Sequence, residues 1–282
     1  MAIRRCCSGA AAGHAAAASS AIRRRPRALG VLLGHPRRTT LAGAEDRPGE
    51  PPAAVTPPHL QIALDGPAGS GKTTVARRLA ERLALLYLDT GAMYRALAVL
   101  SLRERVDADN EPALLRLLEA RPIELRLEPK TAMGFVVLAG GEALSEGELQ
   151  ANAASVVVST IAAHPRIRER MVAKQREIAR LGPVIMAGRD IGTVVLPDAQ
   201  VKIFLTASIG ARVARRSAQF AASGTAIDAH ALYSELEERD RLDESRANSP
   251  LQISPDAHVI DSSELGIEDV VSKIALLAGA VA

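Results

Sequence analysis

Apolar residues along this chain gather in short runs, most of them closing on a turn that contains Gly or Asp. Leu60 to Leu64, Leu86 to Leu88, Val184 to Ala187 and Val201 to Leu205 are four such runs. They are too short for helices and apolar on both faces, which predicts buried strands of a parallel sheet. After the first run, Val75, Leu79 and Leu83 return at helical spacing and predict an amphipathic helix. Strand followed by helix predicts an α/β domain with a central parallel sheet flanked by helices. "RPIELRLE" (Arg121 to Glu128) and "GFVVLAGGEAL" (Gly134 to Leu144) predict two further strands between helical segments. They interrupt the alternation where a doubly wound sheet does not need them, and so predict a small insert.

One stripe changes character along its length. Leu232, Leu236, Arg239, Asp243 and Arg246 follow one another at steps of 4, 3, 4 and 3, which is one face of one helix. The face begins apolar and turns ionic within "ERDRLDESR", Glu238 to Arg246. A solvated face held by pairs of ~0.2–0.5 kcal/mol each would account for the charges alone. An inward face that turns ionic calls instead for a charged ligand beneath it. Glu238, Asp240, Arg241 and Glu244 lie off the stripe and are expected to face water.

Composition excludes several classes. With no Trp, three Tyr and three Phe among 282 residues, the core has to be built largely from Leu, Val, Ile and Ala. The formal charge of +3 is unevenly placed: residues 1–58 carry nine Arg, no Lys and three acids, which leaves the rest of the chain at −3. A body without positive excess and with few aromatic rings offers no base-stacking platform, so polymeric nucleic acid is not an expected partner. Nothing reaches the ~18 uninterrupted apolar residues of a membrane span, so no membrane partner is expected either. Both cysteines, Cys6 and Cys7, lie in the first segment. The body therefore has no disulfide framework and no Cys-based metal site, which fits a reducing compartment. Residues 1–58 are rich in Ala, Arg, Gly and Pro and run out through "EDRPGEPPAAVTPPH", a linker composition. They are expected to be a disordered or targeting-like extension, with the folded domain over 59–282. The expected location is the cytoplasm; the Arg-rich, acid-poor start keeps organelle import as the alternative.

The first strand and helix enclose the most specific chemistry. Gly66, Pro67, Ala68, Gly69, Ser70, Gly71, Lys72 and Thr73 fit G-x-x-x-x-G-K-[ST], with Thr74 next, and strand, loop and helix are the context that marks a P-loop. Its glycines let backbone amides converge on phosphate oxygens at a helix N-terminus. Lys72 can reach the β- and γ-phosphates, and Thr73 can ligate Mg²⁺. The loop implies a nucleoside triphosphate and leaves the acceptor open.

Two later segments bear on that acceptor. In "LYLDTGAMYRALA", Arg95 can grip a phosphate bidentately. Thr90 offers a hydroxyl to a base or sugar, or else Thr90 or Asp89 caps the helix. "GRDIGT" directly follows a predicted buried strand and so lies at the carboxyl edge of the sheet, where ligands of open α/β folds bind. Arg189 is there a second phosphate grip, and Asp190 can accept from an amino group or act near Mg²⁺; a surface ion pair is the alternative to this functional reading.

"DGPAGSGKTT", "LDTGAMYRALA", "AGRDIGTVVLPDAQVKIFL" and "ERDRLDESRANSPL" occur in this order. Together they resemble the bacterial cytidylate kinases, of the nucleoside monophosphate kinase group, from about Leu60 to the end of the chain. The resemblance implies a P-loop kinase fold: a CORE sheet with flanking helices, a small β-containing monophosphate-binding insert at about 121–160, and a helical LID at about 208–250. It implies ATP and CMP or dCMP as partners, Mg²⁺ as cofactor, and a monomer. By similarity Arg95 and Arg189 hold the CMP phosphate, Thr90 stands near the pyrimidine and Asp190 reads the cytosine amino group. Ser159 and Arg168 match positions that contact the base. The family's Arg-Thr-Pro-Glu-like run is replaced here by "LQANAAS", however, and Ser155 competes with Ser159 for the match. Arg239 and Arg246 would close on phosphates and Asp243 on the ribose. Arg215, in "ARVARRS", falls near ATP, or else on an exposed basic face. Lys72, Arg189 and Arg246 are the expected catalytic cations, and Asp65 is expected to orient Mg²⁺ through water. A P-loop kinase of another small acceptor (UMP, AMP or a shikimate-like acid) and a non-catalytic nucleotide switch are the rival readings.

Overall fold

A computed structural model describes residues 57, 59–128, 134–222, 224 and 227–279. The expectations for residues 1–58 therefore lie, but for Pro57, outside the described residues. The chain runs β1 (Gln61–Asp65), α1 (Lys72–Leu83), β2 (Leu86–Asp89), α2 (Thr90–Arg103) and α3 (Glu111–Ala120). Three short strands follow, β3 (Ile123–Leu127), β4 (Phe135–Ala139) and β5 (Glu142–Leu144), then α4 (Glu146–Gln150), α5 (Asn152–Ala163) and α6 (Pro165–Ala179). The second half holds β6 (Val184–Gly188), a π-helical turn (Ile191–Val195), β7 (Val201–Thr206), α7 (Ile209–Ala222), α8 (Ala229–Ser245), β8 (His258–Asp261) and α9 (Ile267–Gly279).

Five strands form one sheet in the order β2-β6-β1-β7-β8, all parallel. Side-chain alternation divides the core between its two faces. Ile62, Leu64, Ile185, Ala187, Ile203 and Leu205 point to the face covered by α1, α2 and α9, while Ala63, Val184, Met186 and Leu88 point to the face that carries Val172 and Ala179 of α6. The four apolar runs are all strands, but each extends one residue further toward its carboxyl end than its hydrophobic pattern. Asp65 pairs with Gly188 and Phe204, and Asp89 with Ala187, inside the ladder. Polar strand ends are thereby held in register at one edge. β8 was not apparent in the pattern, because only Ile260 of its four residues is buried.

The insert is a separate antiparallel sheet, β3-β4-β5. Gly134 to Leu144, read as one strand, is two. Gly140 (φ 61) and Gly141 (φ 85) are both left-handed and make the two-residue turn of a hairpin, a geometry that glycine adopts without strain. Phe135, Val137 and Ala139 of β4 face inward and join the main core. A separate small cluster, Ala68 with Leu232 and Leu236, binds the base of α8 to the P-loop.

Candidate functional site

The loop after β1 closes tightly against β7. A Cβ on Gly66 (φ 146) would stand 2.0 Å from the Leu205 carbonyl oxygen, so only glycine fits. Gly71 begins α1, and no side chain caps that helix. Its first amides therefore remain available to an anion. Lys72 is buried, and its Nζ donates to Pro67 O (2.6 Å) and Ser70 Oγ (3.3 Å). Burial and the neighbouring Arg189 guanidinium push its ammonium well below the ordinary lysine value. Thr73 and Thr74 are exposed on the first turn of α1.

Asp65 also has a task within the fold. Its two carboxylate oxygens accept from Ile191 N (2.8 Å) and Gly192 N (2.7 Å) and so anchor the π-helical turn. Burial raises its pKa to about 6. The carboxylate is engaged by the protein itself, which positions the backbone that follows Arg189 and Asp190.

Across the strand ends the sequence-predicted cations converge. Asp89 caps α2 by accepting from Gly91 N (2.9 Å) and holds Arg95 Nη2 through its other oxygen (2.8 Å). Thr90 is thus not the cap: its hydroxyl donates to Ala187 O (3.0 Å) and fastens α2 to β6, leaving the oxygen able to accept. Arg189 Nε donates to Asp243 Oδ2 (2.7 Å), and Arg246 Nη2 pairs with Asp243 Oδ1. The pair of Arg246 and Asp243 lies on the stripe that turned ionic. Arg239, on the same stripe, has its Nε buried with no hydrogen-bond partner, as does Arg95. Burial, then the Arg189 and Arg95 charges, bring Arg239 down to about 10. Burial, then Arg168 and Arg189, do the same to Arg246. Five cations (Lys72, Arg95, Arg189, Arg239 and Arg246) thus crowd one edge at mutual cost. Such an arrangement is stabilised by an anionic ligand.

Asp190 pairs with Arg168 in a buried salt bridge. Arg168 Nη1 also donates to Ala162 O (3.0 Å), and its guanidinium lies 5.5 Å from the Tyr94 ring centre. Both are held beside the cation cluster. Ser159 and Ser155 lie one turn apart on α5, a helix packed on α2 and touching α8; both are half-buried. Arg215 stands apart on the other side of the P-loop. It donates to Ser262 Oγ (3.1 Å) and at 3.5 Å to Ser70 O, beside Gly71.

Several residues were missed in the sequence. Ser262 Oγ lies 3.2 Å from Ser70 O and 2.9 Å from Thr206 O, with one hydrogen to serve the two carbonyls, and so joins the loop to β7 and β8. Arg212, one turn before Arg215, is buried and pairs with Asp240 at 2.6 Å. Asp240 was expected to face water and does not; Glu238 and Arg241 do, as an exposed pair. The i, i+3 spacing of Arg212 and Arg215 was a readable signal for a shared helix face.

A family model described as "Cytidylate kinase" matches residues 62–279. The curated cytidylate kinase of Geobacillus kaustophilus (strain HTA426) is 48% identical over 219 residues, covering 77% of this chain and 95% of its own. That of Pelotomaculum thermopropionicum (strain DSM 13744 / JCM 10971 / SI) is 47% identical over 213 residues, covering 76% and 93%. Among solved structures, shikimate kinase from Acinetobacter baumannii in complex with shikimate aligns with 80% of this chain and 94% of its own. Its identity is 16% and its TM-score 0.39, too distant to bear on the acceptor.

Proposed function

This chain belongs to the cytidylate kinase family, and we infer that it transfers the γ-phosphate of ATP to CMP or dCMP, giving ADP and CDP or dCDP. The observation that carries the site assignment is the crowd of cations facing the P-loop across the carboxyl ends of β1, β2 and β6. A nucleotide switch needs one anion site; this edge has a loop for one phosphate chain and, opposite it, arginines for a second.

The acceptor phosphate is already ionised, so no strong general base is required. Catalysis rests on positioning and on charge stabilisation in a site shut from water. Lys72 leaves Pro67 O and Ser70 Oγ for the β- and γ-phosphates of ATP, which lie on the loop from Gly66 to Thr74 and on its backbone amides after Pro67. Arg215 flanks the same nucleotide. Arg95, Arg189, Arg239 and Arg246 hold the acceptor phosphate and cancel its repulsion from the γ-phosphate. Asp190, Arg168 and Thr90 surround the cytosine, with Ser159 or Ser155 beside it, and Asp243 reaches the ribose. Thr73 fits a Mg²⁺ ligand, since it is an exposed hydroxyl-bearing residue on the first turn after the loop. No group of three or more His, Cys, Asp or Glu among the described residues could form a metal cage. The ion would therefore be held by this hydroxyl together with the nucleotide's own phosphates. Held there, the ion would supply positive charge to offset that of the phosphates.

α7 and α8 form the LID and the β3-β5 sheet with α4 and α5 the monophosphate-binding insert, on a monomer working in the cytoplasm. Labelled ATP with a panel of CMP, dCMP, UMP, AMP and shikimate tests the reading. CDP and dCDP are the expected products; faster turnover of UMP, AMP or shikimate would replace the acceptor.

A further inference from the structure

Arg212 belongs to none of the phosphate grips, yet it touches both sides of the site. It is 6% exposed. Its Nε donates to Ala207 O (3.1 Å), which fixes the plane of the guanidinium against the start of its own helix. Its Nη1 donates to Ala68 O of the P-loop (3.1 Å) and lies 2.6 Å from Asp240 Oδ2 on α8. Nη1 carries two hydrogens, one for each acceptor. The loop also packs on the arginine's stem: a Cβ at Gly69 would lie 3.2 Å from Arg212 Cβ. Beneath this contact the Ala68, Leu232 and Leu236 cluster keeps water out. Asp240 directly follows Arg239 and lies one turn before Asp243. A single guanidinium therefore spans the carbonyl of the loop and the helix that carries the acceptor clamp.

We propose that Arg212 and Asp240 are positioning residues that couple occupancy of the P-loop to the pose of the acceptor clamp. Phosphate seated on the loop fixes Ala68 and with it Arg212. Arg212 then holds α8 so that Arg239, Asp243 and Arg246 stand over the acceptor. A pair with one partner buried and the other mostly so is a stiff link, because releasing Asp240 leaves the buried guanidinium without its counter-charge. Asp240 Oδ1 is itself buried without a hydrogen-bond partner. The aspartate is thus held from the Arg212 side. The coupling rests on the reading of the P-loop as the ATP site and of α8 as the acceptor clamp.

The test is calorimetric titration of the full chain with CMP, with and without Mg²⁺ and a non-hydrolysable ATP analogue, beside steady-state kinetics with ATP. Wild type is compared with Asp240→Asn and Asp240→Glu. The analogue is expected to tighten CMP binding to wild type by about fivefold or more, the lower end of ordinary coupling. In Asp240→Asn that ratio falls below about twofold, while CMP affinity without the analogue stays within about twofold of wild type. The KM for CMP at saturating ATP rises with it, and Asp240→Glu recovers part of the ratio. A wild-type ratio retained in Asp240→Asn, or no ratio in wild type, overturns the coupling. If melting curves show Asp240→Asn unfolded, Arg212→Lys, which keeps the charge but cannot span both acceptors, decides by the same ratio. Wild type that makes no CDP would defeat the kinase reading itself; CDP formed with an unchanged ratio in the variant defeats the coupling alone.

Discussion

Arg189 Nε donates to Asp243 Oδ2 across 2.7 Å, joining the carboxyl end of β6 to the last turn of α8. The other oxygen of Asp243 takes Arg246, so one buried carboxylate balances two guanidiniums. Asp243→Asn leaves those cations facing each other. Breaking a buried pair in this way costs on the order of 3 kcal/mol. The melting temperature of the ligand-free variant should fall by roughly 6–12 °C for a domain of this size. CMP brings a replacement anion, so its stabilising shift should be larger in the variant than in wild type. Equal shifts in thermal melts with and without CMP would show that Asp243 is not the resting counter-charge of the clamp.

Arg239 is the cation with the least compensation. Replacing it by an apolar side chain of similar length removes a desolvated, repelled charge. Arg239→Met is expected to stabilise the ligand-free protein by about 1 kcal/mol and to reduce kcat/KM for CMP by more than tenfold. Urea unfolding and steady-state kinetics measure the two halves. A variant less stable than wild type would contradict the first, and unchanged kcat/KM the second.

Lys72 forms no salt bridge among the described residues, and the work proposed for it is on the transferring phosphate. Lys72→Ala is expected to lower kcat by at least about 10²-fold, the scale of losing one preorganised stabilising group, with the melting temperature unchanged or raised. Turnover within tenfold of wild type in a coupled ADP assay would remove Lys72 from the chemistry.

Asp65 links the site to pH. Its folded pKa, about 6, is above the ordinary aspartate value of 3.8 because the carboxyl is buried. The folded state therefore favours the protonated form. The stability this contributes is full below about pH 4 and is lost as pH rises through about 6. Asp65→Asn does not titrate and also loses one of the two amide contacts. The stability gap between wild type and Asp65→Asn should be widest near pH 4 and shrink by pH 7. Chemical denaturation across that range measures it; a gap that widens with pH would reverse the assignment.

Much of this architecture was legible because strand and ligand signals coincide. The P-loop needs glycines between a strand and a helix, and "GRD" follows a buried run, so both could be placed at the sheet edge from residue order alone. The ionic stripe on α8 was legible for the same reason, since Arg239, Asp243 and Arg246 continue the register of Leu232 and Leu236. Asp240 was misjudged because a neighbour in sequence lies about 100° round the helix. What meets it there is Arg212, supplied by α7 from a position that helical spacing cannot reveal. The hairpin at Gly140 and Gly141 was hidden inside an apolar run despite carrying the turn's own residues. β8 was illegible because one buried side chain in four leaves no pattern.

Ser262 gives the fold an order of assembly. The P-loop follows β1 and is translated early, yet its Ser70 carbonyl is bound by a hydroxyl 192 residues later. That serine also receives Arg215. On a ribosome, where chains emerge from the N-terminus, the loop exists for most of synthesis without its last anchor. The loop therefore gains this anchor only when β8 docks beside β7, so the segment whose signature is read first is the last to be fastened.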